Sequence, residues 1–140
     1  MAQVTTVKVT ESDSSLVLRV NLLSDGSGEL VNFPFLSPSD LNPPRPPNAP
    51  TFRIMELWYG AVWFDFTLLA GTLSPVVLWT VARDCDSHNC FEEFGGILDQ
   101  NVYASPPVVD DGALLISTNG FAQAGSQGTI VLRLRKTNAP

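Results

Sequence analysis

Apolar and polar residues alternate along most of this chain, which is the pattern of β-strands that bury one face. Residues 4–10 and 16–22 alternate in this way, and similar short runs recur to the end of the sequence. The runs expected to form strands are residues 4–10, 16–22, 29–36, 52–59, 62–69, 76–82, 91–97, 113–118 and 129–136. No run keeps the period of about 3.6 residues that an amphipathic helix needs. Little or no α-helix is therefore expected.

Turn-forming residues separate these runs. Gly60 and Ala61, between the fourth and fifth runs, predict a tight hairpin. Residues 42–50 contain five prolines, and each proline removes a backbone donor, so neither a strand nor a helix runs through them. This segment is expected to be extended and stiff. It serves either as a long connection between two sheets or as an arm that reaches a neighbouring subunit.

Eight or nine strands without helices predict an all-β fold. An antiparallel two-sheet β-sandwich is expected, and a jelly roll is the first choice because it packs eight strands into two layers. The 140 residues, of which 44% are hydrophobic, are enough for one domain spanning residues 1–140 and for a buried core.

Charge and hydropathy narrow the classes of partner. The chain carries 14 acidic and 8 basic residues, for a formal net charge of −6. This balance argues against nucleic acid as the main partner, since phosphate binding needs a basic face. No stretch approaches the roughly 20 apolar residues of a membrane helix, so no membrane association is expected. The N-terminus lacks the basic start and apolar core of a signal peptide, which predicts folding in a cytoplasm.

Two cysteines, Cys85 and Cys90, flank the single histidine, His88. Structural zinc needs four ligands, and no second pair of ligands follows at a suitable spacing. A disulfide between Cys85 and Cys90 would pin an exposed hairpin, provided that the chain meets an oxidising medium. Two free thiols, a disulfide and a metal site all stay open, and each is compatible with a structural role for this loop.

No arrangement of residues indicates catalysis. No nucleophile elbow of the GxSxG type is present, and the adjacent carboxylates at 92–93 and 110–111 point to opposite faces of a strand. The oxygen-rich segment at residues 24–29 lacks the spacing of an EF-hand loop, so a plain turn is preferred over a calcium site there. The chain is expected not to be an enzyme, with no catalytic residues, no metal and no cofactor.

Aromatic residues are concentrated in residues 58–79. Alternation places Val62, Phe64 and Phe66 on one face of a strand and Trp63 on the other. If Trp58 and Trp63 were exposed, a sugar would be able to stack on them. The other interpretation is that they pack in the core or at a subunit interface, where large aromatic side chains dominate the buried area.

Taken in order along the chain, several segments resemble the capsid decoration or cement proteins of tailed bacteriophages. The resemblance covers nearly the whole sequence, apart from the proline-rich segment and the Cys85–Cys90 loop. The segments that carry it are residues 21–29, 37–41, 52–59, 62–69, 94–97, 111–120 and 129–136.

The resemblance implies an all-β structural virion protein that binds and stabilises the mature capsid. It further implies the major capsid protein as partner, self-association with a trimer favoured, and a place on the exterior of a particle assembled in the host cytoplasm. The candidate interface residues are Trp58, Trp63, Pro43, Pro44, Pro46 and Pro47. The alternative function is a β-sandwich module that binds carbohydrate or a receptor from a phage tail or head fibre.

Overall fold

Nine strands and one short 3-10 helix make up the described part of the chain. The computed structural model describes residues 3–42, 44, 52–61, 64–82, 85–91, 96, 112–122 and 124–136. The 3-10 helix is Pro38–Asp40, between β3 and β4. The strands are β1 (Gln3–Glu11), β2 (Ser15–Leu23), β3 (Phe33–Leu36), β4 (Phe52–Ala61), β5 (Asp65–Ala70), β6 (Val76–Val81), β7 (Cys85–Cys90), β8 (Leu114–Asn119) and β9 (Gln127–Lys136).

The strands form two antiparallel sheets with the connectivity of a jelly roll. The larger sheet has the order β1-β2-β9-β4-β7 and the smaller has the order β3-β8-β5-β6. Counted from β2, the larger sheet takes the first, eighth, third and sixth strands, and the smaller takes the second, seventh, fourth and fifth. This order results when eight strands fold as two Greek keys, and β1 adds a further strand at the edge beside β2. The expected all-β sandwich is confirmed.

The core lies between the sheets and is built from alternate residues of each strand. In β2 the buried positions are Leu16, Leu18, Val20 and Leu22, each separated by a more exposed residue. Strand β9 faces the core in the same way. The largest fully buried side chains include Phe64, Phe66 and Phe121, with Ile54, Leu57, Leu68, Ile116, Ile130 and Leu132 around them. Hydrophobic burial at about 25 cal/mol per Å² makes this layer the main source of stability.

The predicted hairpin at Gly60 and Ala61 is wrong. Both residues lie inside β4, which pairs with β7 and β9 in the larger sheet. Strand β5 belongs to the other sheet, where it pairs with β6 and β8. In a jelly roll these two consecutive strands cross between the layers, so a tight antiparallel turn cannot join them.

The loop predicted around His88 is wrong, because Cys85–Cys90 forms strand β7 and pairs through its backbone with β4. Of residues 91–97, only Phe91 and Gly96 belong to the described residues, and neither lies in a strand. The Gly96 amide donates to the Phe91 carbonyl at 3.0 Å. Strand pairing here depends on backbone hydrogen bonds and not on an alternating side-chain pattern.

The segment between β3 and β4 connects the two sheets, as one of the two interpretations of the proline-rich run predicts. Within that run, Asn42 and Pro44 are described and are exposed, whereas Pro43, Pro46 and Pro47 lie outside the described residues. At its start, the amide of Asn42 donates to the Glu11 carboxylate at 2.8 Å. The segment therefore leaves the smaller sheet beside the end of β1.

Glu29 holds the loop before β3 against the turn after β8. Its carboxylate accepts hydrogen bonds from the amides of Gly120, Phe121 and Ala122 at 2.8–3.1 Å and from the Thr118 hydroxyl at 2.9 Å. Partial burial favours the protonated acid, but these hydrogen bonds outweigh it and hold the pKa of Glu29 below its ordinary value. Both oxygens of this carboxylate are engaged by the protein itself.

Candidate functional site

Four polar or aromatic side chains meet on the outer face of the larger sheet, over β4, β7 and β9. They are Glu56, Trp58, His88 and Arg133, and we call them the Trp58 cluster. Glu56 and Trp58 are two residues apart on β4, so they share a face, while Leu57 between them points into the core. His88 of β7 lies opposite Trp58, and Arg133 of β9 lies opposite Glu56. The site is thus produced by strand register.

A β-bulge sets the position of Glu56. The register between β4 and β9 shifts between Ile54 and Glu56, so that Met55 has no partner of its own on β9. Without the shift, Arg133 would face Met55, which is largely buried. Bulges commonly re-aim a side chain in this way. Here the bulge brings a carboxylate opposite a guanidinium on the exposed side of the sheet.

Glu56 bridges the cation of one neighbouring strand and the imidazole of the other. Its Oε2 lies 2.7 Å from Nε2 of His88. Its Oε1 accepts from Nε of Arg133 at 2.8 Å and from Nη2 at 2.6 Å. The hydrogen bonds with His88 and then with Arg133 hold the pKa of Glu56 below its ordinary value. Glu56 is therefore ionised at neutral pH and fixes the orientation of both partners.

The imidazole of His88 stacks on the indole of Trp58. The ring centroids are 4.9 Å apart and the ring planes differ by 6°. Cross-strand aromatic pairs of this kind stabilise a sheet. The stack also holds Trp58, which is half-buried, in a fixed orientation on the outer face. One face of the indole is consequently occupied by His88.

Cys90 lies on β7 opposite Glu56 and carries an exposed free thiol. The proposed disulfide between Cys85 and Cys90 is therefore wrong. The physical reason is that both residues lie on one extended strand. Five residue steps along a strand span roughly 16 Å, far more than the 4.4–6.8 Å between bridged Cα atoms. Among the described residues, no group of three His, Cys, Asp or Glu side chains is arranged to hold a metal ion.

Most of the aromatic residues near Trp58 belong to the core. Phe64 and Phe66 are both fully buried, in agreement with the shared face that alternation predicts for them. Tyr59 packs edge-on against Phe66 with centroids 5.8 Å apart, and Trp79 packs edge-on against Phe91 at 4.8 Å. Trp63 lies outside the described residues. The predicted interface residue whose side chain can be placed on an exposed sheet face is thus Trp58.

Sequence reasoning singled out Trp58 and His88 but missed Glu56 and Arg133. One signal was available, because Glu56 and Trp58 are two residues apart in a predicted strand and so share a face. Arg133 is 77 residues from Glu56 in the chain. No local pattern predicts which strands become neighbours, so this pairing appears only in the folded sheet.

The described interior offers little for chemistry. The buried polar or charged residues there are Ser24, Ser126 and Lys136, and the remaining buried side chains are apolar. Among the described residues, no helix is long and apolar enough to cross a membrane.

By its fold, the chain belongs to the class of jelly-roll β-sandwich proteins, with a polar cluster on one outer face. Comparisons with known proteins add little to this description. No family model matches the sequence, and no curated protein matches it. A cupin domain from Bordetella pertussis Tohama I is 8% identical, with 96% of this chain and 94% of that chain covered and a TM-score of 0.36.

Two further solved structures are similarly distant. Peruvianin-I, a cysteine peptidase from Thevetia peruviana latex, is 12% identical over 99% of this chain and 64% of its own, with a TM-score of 0.34. An RmlC-like cupin protein from Desulfovibrio desulfuricans is 7% identical, with 93% of this chain and 81% of that chain covered and a TM-score of 0.32. Likenesses at this level carry no functional argument for this chain.

Proposed function

We propose that this chain is a structural virion protein, a decoration or cement subunit that binds the exterior of a mature phage capsid. The proposal starts from the sequence segments that resemble such proteins. It is supported by the jelly-roll topology, which is common among viral capsid domains but also occurs in lectins and cupins. Its role would be non-catalytic, with the major capsid protein as partner and a trimer as the working form.

The observation that carries the proposal is the location of the Trp58 cluster. Trp58 and Arg133 are partly exposed on the outer face of the larger sheet, and tryptophan and arginine are enriched at the energetic centres of protein interfaces. Glu56 and His88 hold both side chains in place before any partner arrives. A preorganised anchor loses less side-chain entropy on binding, which favours a tight interface.

The mechanism would be one of mass action. A subunit that binds the mature shell and not its precursor stabilises the mature shell by the free energy of binding. Host-cell assembly and a position on the capsid exterior belong to the same proposal.

The experiment that tests the proposal is the copy number of the chain in purified particles, measured by quantitative mass spectrometry against the major capsid protein. A ratio near one, or a simple fraction of it, is expected. A handful of copies per particle would instead indicate a tail or portal component and favour receptor binding. Complete absence from particles would refute the structural role.

A matched pair of variants then tests the face. Trp58→Ala should reduce occupancy on particles while the subunit stays folded. Val77→Ala removes a side chain that is 58% exposed on the outer face of the smaller sheet, and it should leave occupancy unchanged. Equal occupancy for both variants would show that the Trp58 cluster is not the capsid-binding face.

A further inference from the structure

Gly60 lies on the outer face of the larger sheet, at a position where neither a turn nor the core requires a glycine. It belongs to β4, is paired on both sides in a regular register, and has no positive φ. Because it is two residues from Trp58, it faces away from the core. A glycine inside a strand weakens the strand and often marks a place where a ligand approaches closely.

Gly60 ends a row of short polar residues that crosses four strands. Thr129 of β9 lies opposite Gly60, and Asn21 of β2 lies opposite Thr129. Thr5 of β1 lies opposite Asn21 and completes the row. Residues directly opposite one another share a face of the sheet, so the whole row is on the outer face. From the spacing of strands, the row spans roughly 14 Å.

A groove of about 520 Å³ lies over this row and over the next row towards the end of the sheet. The next row consists of Gln3, Leu23 and Gln127. The volume falls within the range of roughly 300–1,000 Å³ that is typical of small-molecule sites. Of the nine described residues that line the groove, five carry an amide or a hydroxyl and none is ionisable. We call it the neutral groove.

Asn21 and Thr129 orient each other in the middle of the neutral groove. The hydroxyl of Thr129 donates to Oδ1 of Asn21 at 3.2 Å. This bond engages the acceptor end of the amide, and among the described residues the Nδ2 group of Asn21 has no partner of its own. The Thr129 oxygen can still accept a hydrogen bond. A donor and an acceptor side by side suit a ligand group that both accepts and donates, as an alcohol does.

We propose that the neutral groove binds an uncharged oligosaccharide. A sugar presents hydroxyl groups, which match the amides and hydroxyls of the two rows, and a surface of C–H groups, which matches Leu23, 43% exposed. An ionic ligand would need an opposite charge, and the lining residues carry none. The centre of a protein interface is apolar or aromatic, whereas Leu23 is the one strongly exposed apolar side chain of this groove.

This site differs from a sugar platform on tryptophan. The indole of Trp58 already has the imidazole of His88 stacked on one face. The neutral groove instead begins at Gly60, the next outward-facing residue of β4, and extends across β9 and β2 to β1. The inference goes beyond the proposed function and does not depend on it, because the groove is complete in a single chain.

The test begins with the full chain, fluorescently labelled, on an array of neutral oligosaccharides and their sialylated counterparts. A neutral glycan that binds is then titrated into isotope-labelled chain and followed by amide chemical shifts. We expect saturable binding, with the largest shifts at Asn21, Gly60 and Thr129. Binding to no neutral glycan would overturn the inference, as would a preference for the sialylated forms. Largest shifts at Val77 and Thr80, on the smaller sheet, would overturn it too.

A matched pair of variants tests the hydrogen bonds. Thr129→Val keeps the shape of the side chain and removes the hydroxyl, so it should weaken binding about fivefold. Thr80→Val removes the hydroxyl of another exposed threonine in a cross-strand contact, 3.3 Å from that of Thr67, and should bind as the unmodified chain does. Equal affinities for the two variants would contradict the assignment of the site.

Gly60→Val fills the neutral groove. Valine is favoured in strands, so Tm should stay the same or rise while sugar binding falls by more than tenfold. Unchanged binding in a folded Gly60→Val chain would overturn the inference. If this variant does not fold, the comparison of Thr129→Val with Thr80→Val still decides the question.

Amide shifts of the sugar-free chain at several protein concentrations cover the other occupant. Concentration-dependent shifts at Asn21, Gly60 and Thr129 would show that a second copy of this chain occupies the groove, and the inference would be wrong. These measurements contain no capsid, whereas the copy number in particles involves no sugar. Failure of the inference and failure of the proposed function are therefore seen in different measurements.

Discussion

The substitution Lys136→Met tests how much the ion pair between Lys136 and Glu11, at one end of the sandwich, contributes to stability. The side chain of Lys136 is 1% exposed, and its Nζ donates to Glu11 at 2.8 Å and to the Ser12 carbonyl at 2.6 Å. Glu11, 14% exposed, also accepts from Lys8 at 3.0 Å and from the amide of Asn42 at 2.8 Å. The cluster joins the β1–β2 turn, the end of β9 and the start of the proline-rich segment. Methionine keeps most of the volume and removes the charge.

Two independent arguments give the size of the effect. Partial burial raises the pKa of Glu11, but the hydrogen bonds led by that from Lys136 lower it from 4.5 to about 2. At about 1.4 kcal/mol per pKa unit, the ionised form of Glu11 stabilises the fold by about 3 kcal/mol. Removing one partner of a buried ion pair costs about 3–5 kcal/mol in other proteins. We therefore expect a loss of about 3 kcal/mol and a fall in Tm of roughly 10 °C.

The pH dependence of stability provides a second readout. Because the pKa of Glu11 is lowered in the folded state, its contribution is complete above about pH 4.5 and is lost as the pH falls towards 2. Urea denaturation of the unmodified chain should therefore show a decline over that range. In Lys136→Met the decline should be shallower, since the pKa of Glu11 returns towards its ordinary value.

Two control variants separate the ion pair from general effects of charge. Arg135→Gln removes an exposed cation from the neighbouring position and should change stability by less than about 0.5 kcal/mol. Glu11→Gln/Lys136→Met removes both charges and should be less unstable than Lys136→Met alone. A free energy of unfolding for Lys136→Met within about 1 kcal/mol of the unmodified chain, with an unchanged decline below pH 4.5, would refute the reasoning.

Three other outcomes follow from the structure. Glu29→Gln should lower the free energy of unfolding by about 1 kcal/mol at pH 7, because it weakens the hydrogen bonds to three amides. Urea denaturation should show this difference shrinking as the pH falls below about 4.5. Gly128→Ala should lower Tm in calorimetry by several degrees, since the new Cβ would lie 2.8 Å from the buried Phe64 ring. When the chain is unfolded without a reducing agent, Ellman's reagent should detect two free thiols per chain. Detection of no free thiol would instead show a disulfide between Cys85 and Cys90.

The sequence by itself determined the class of the fold and most of its strands. In β2 and β9 the alternation of apolar and polar residues is regular enough to predict the strand, the buried face and the exposed face. This information is local, because a strand that buries one face must repeat every second residue. The shared face of Phe64 and Phe66 followed from the same rule.

Only the tertiary structure decided which strands became neighbours, and with them the candidate site. Strands β2 and β9, from opposite ends of the chain, lie side by side, and β4 and β5 separate into different sheets. Backbone hydrogen bonds are the same for every pair of strands, so side-chain alternation cannot encode these partners. Glu56 lies beside Arg133 and His88, and Arg53 lies opposite Arg135, because the two Greek keys and one β-bulge bring distant residues into register.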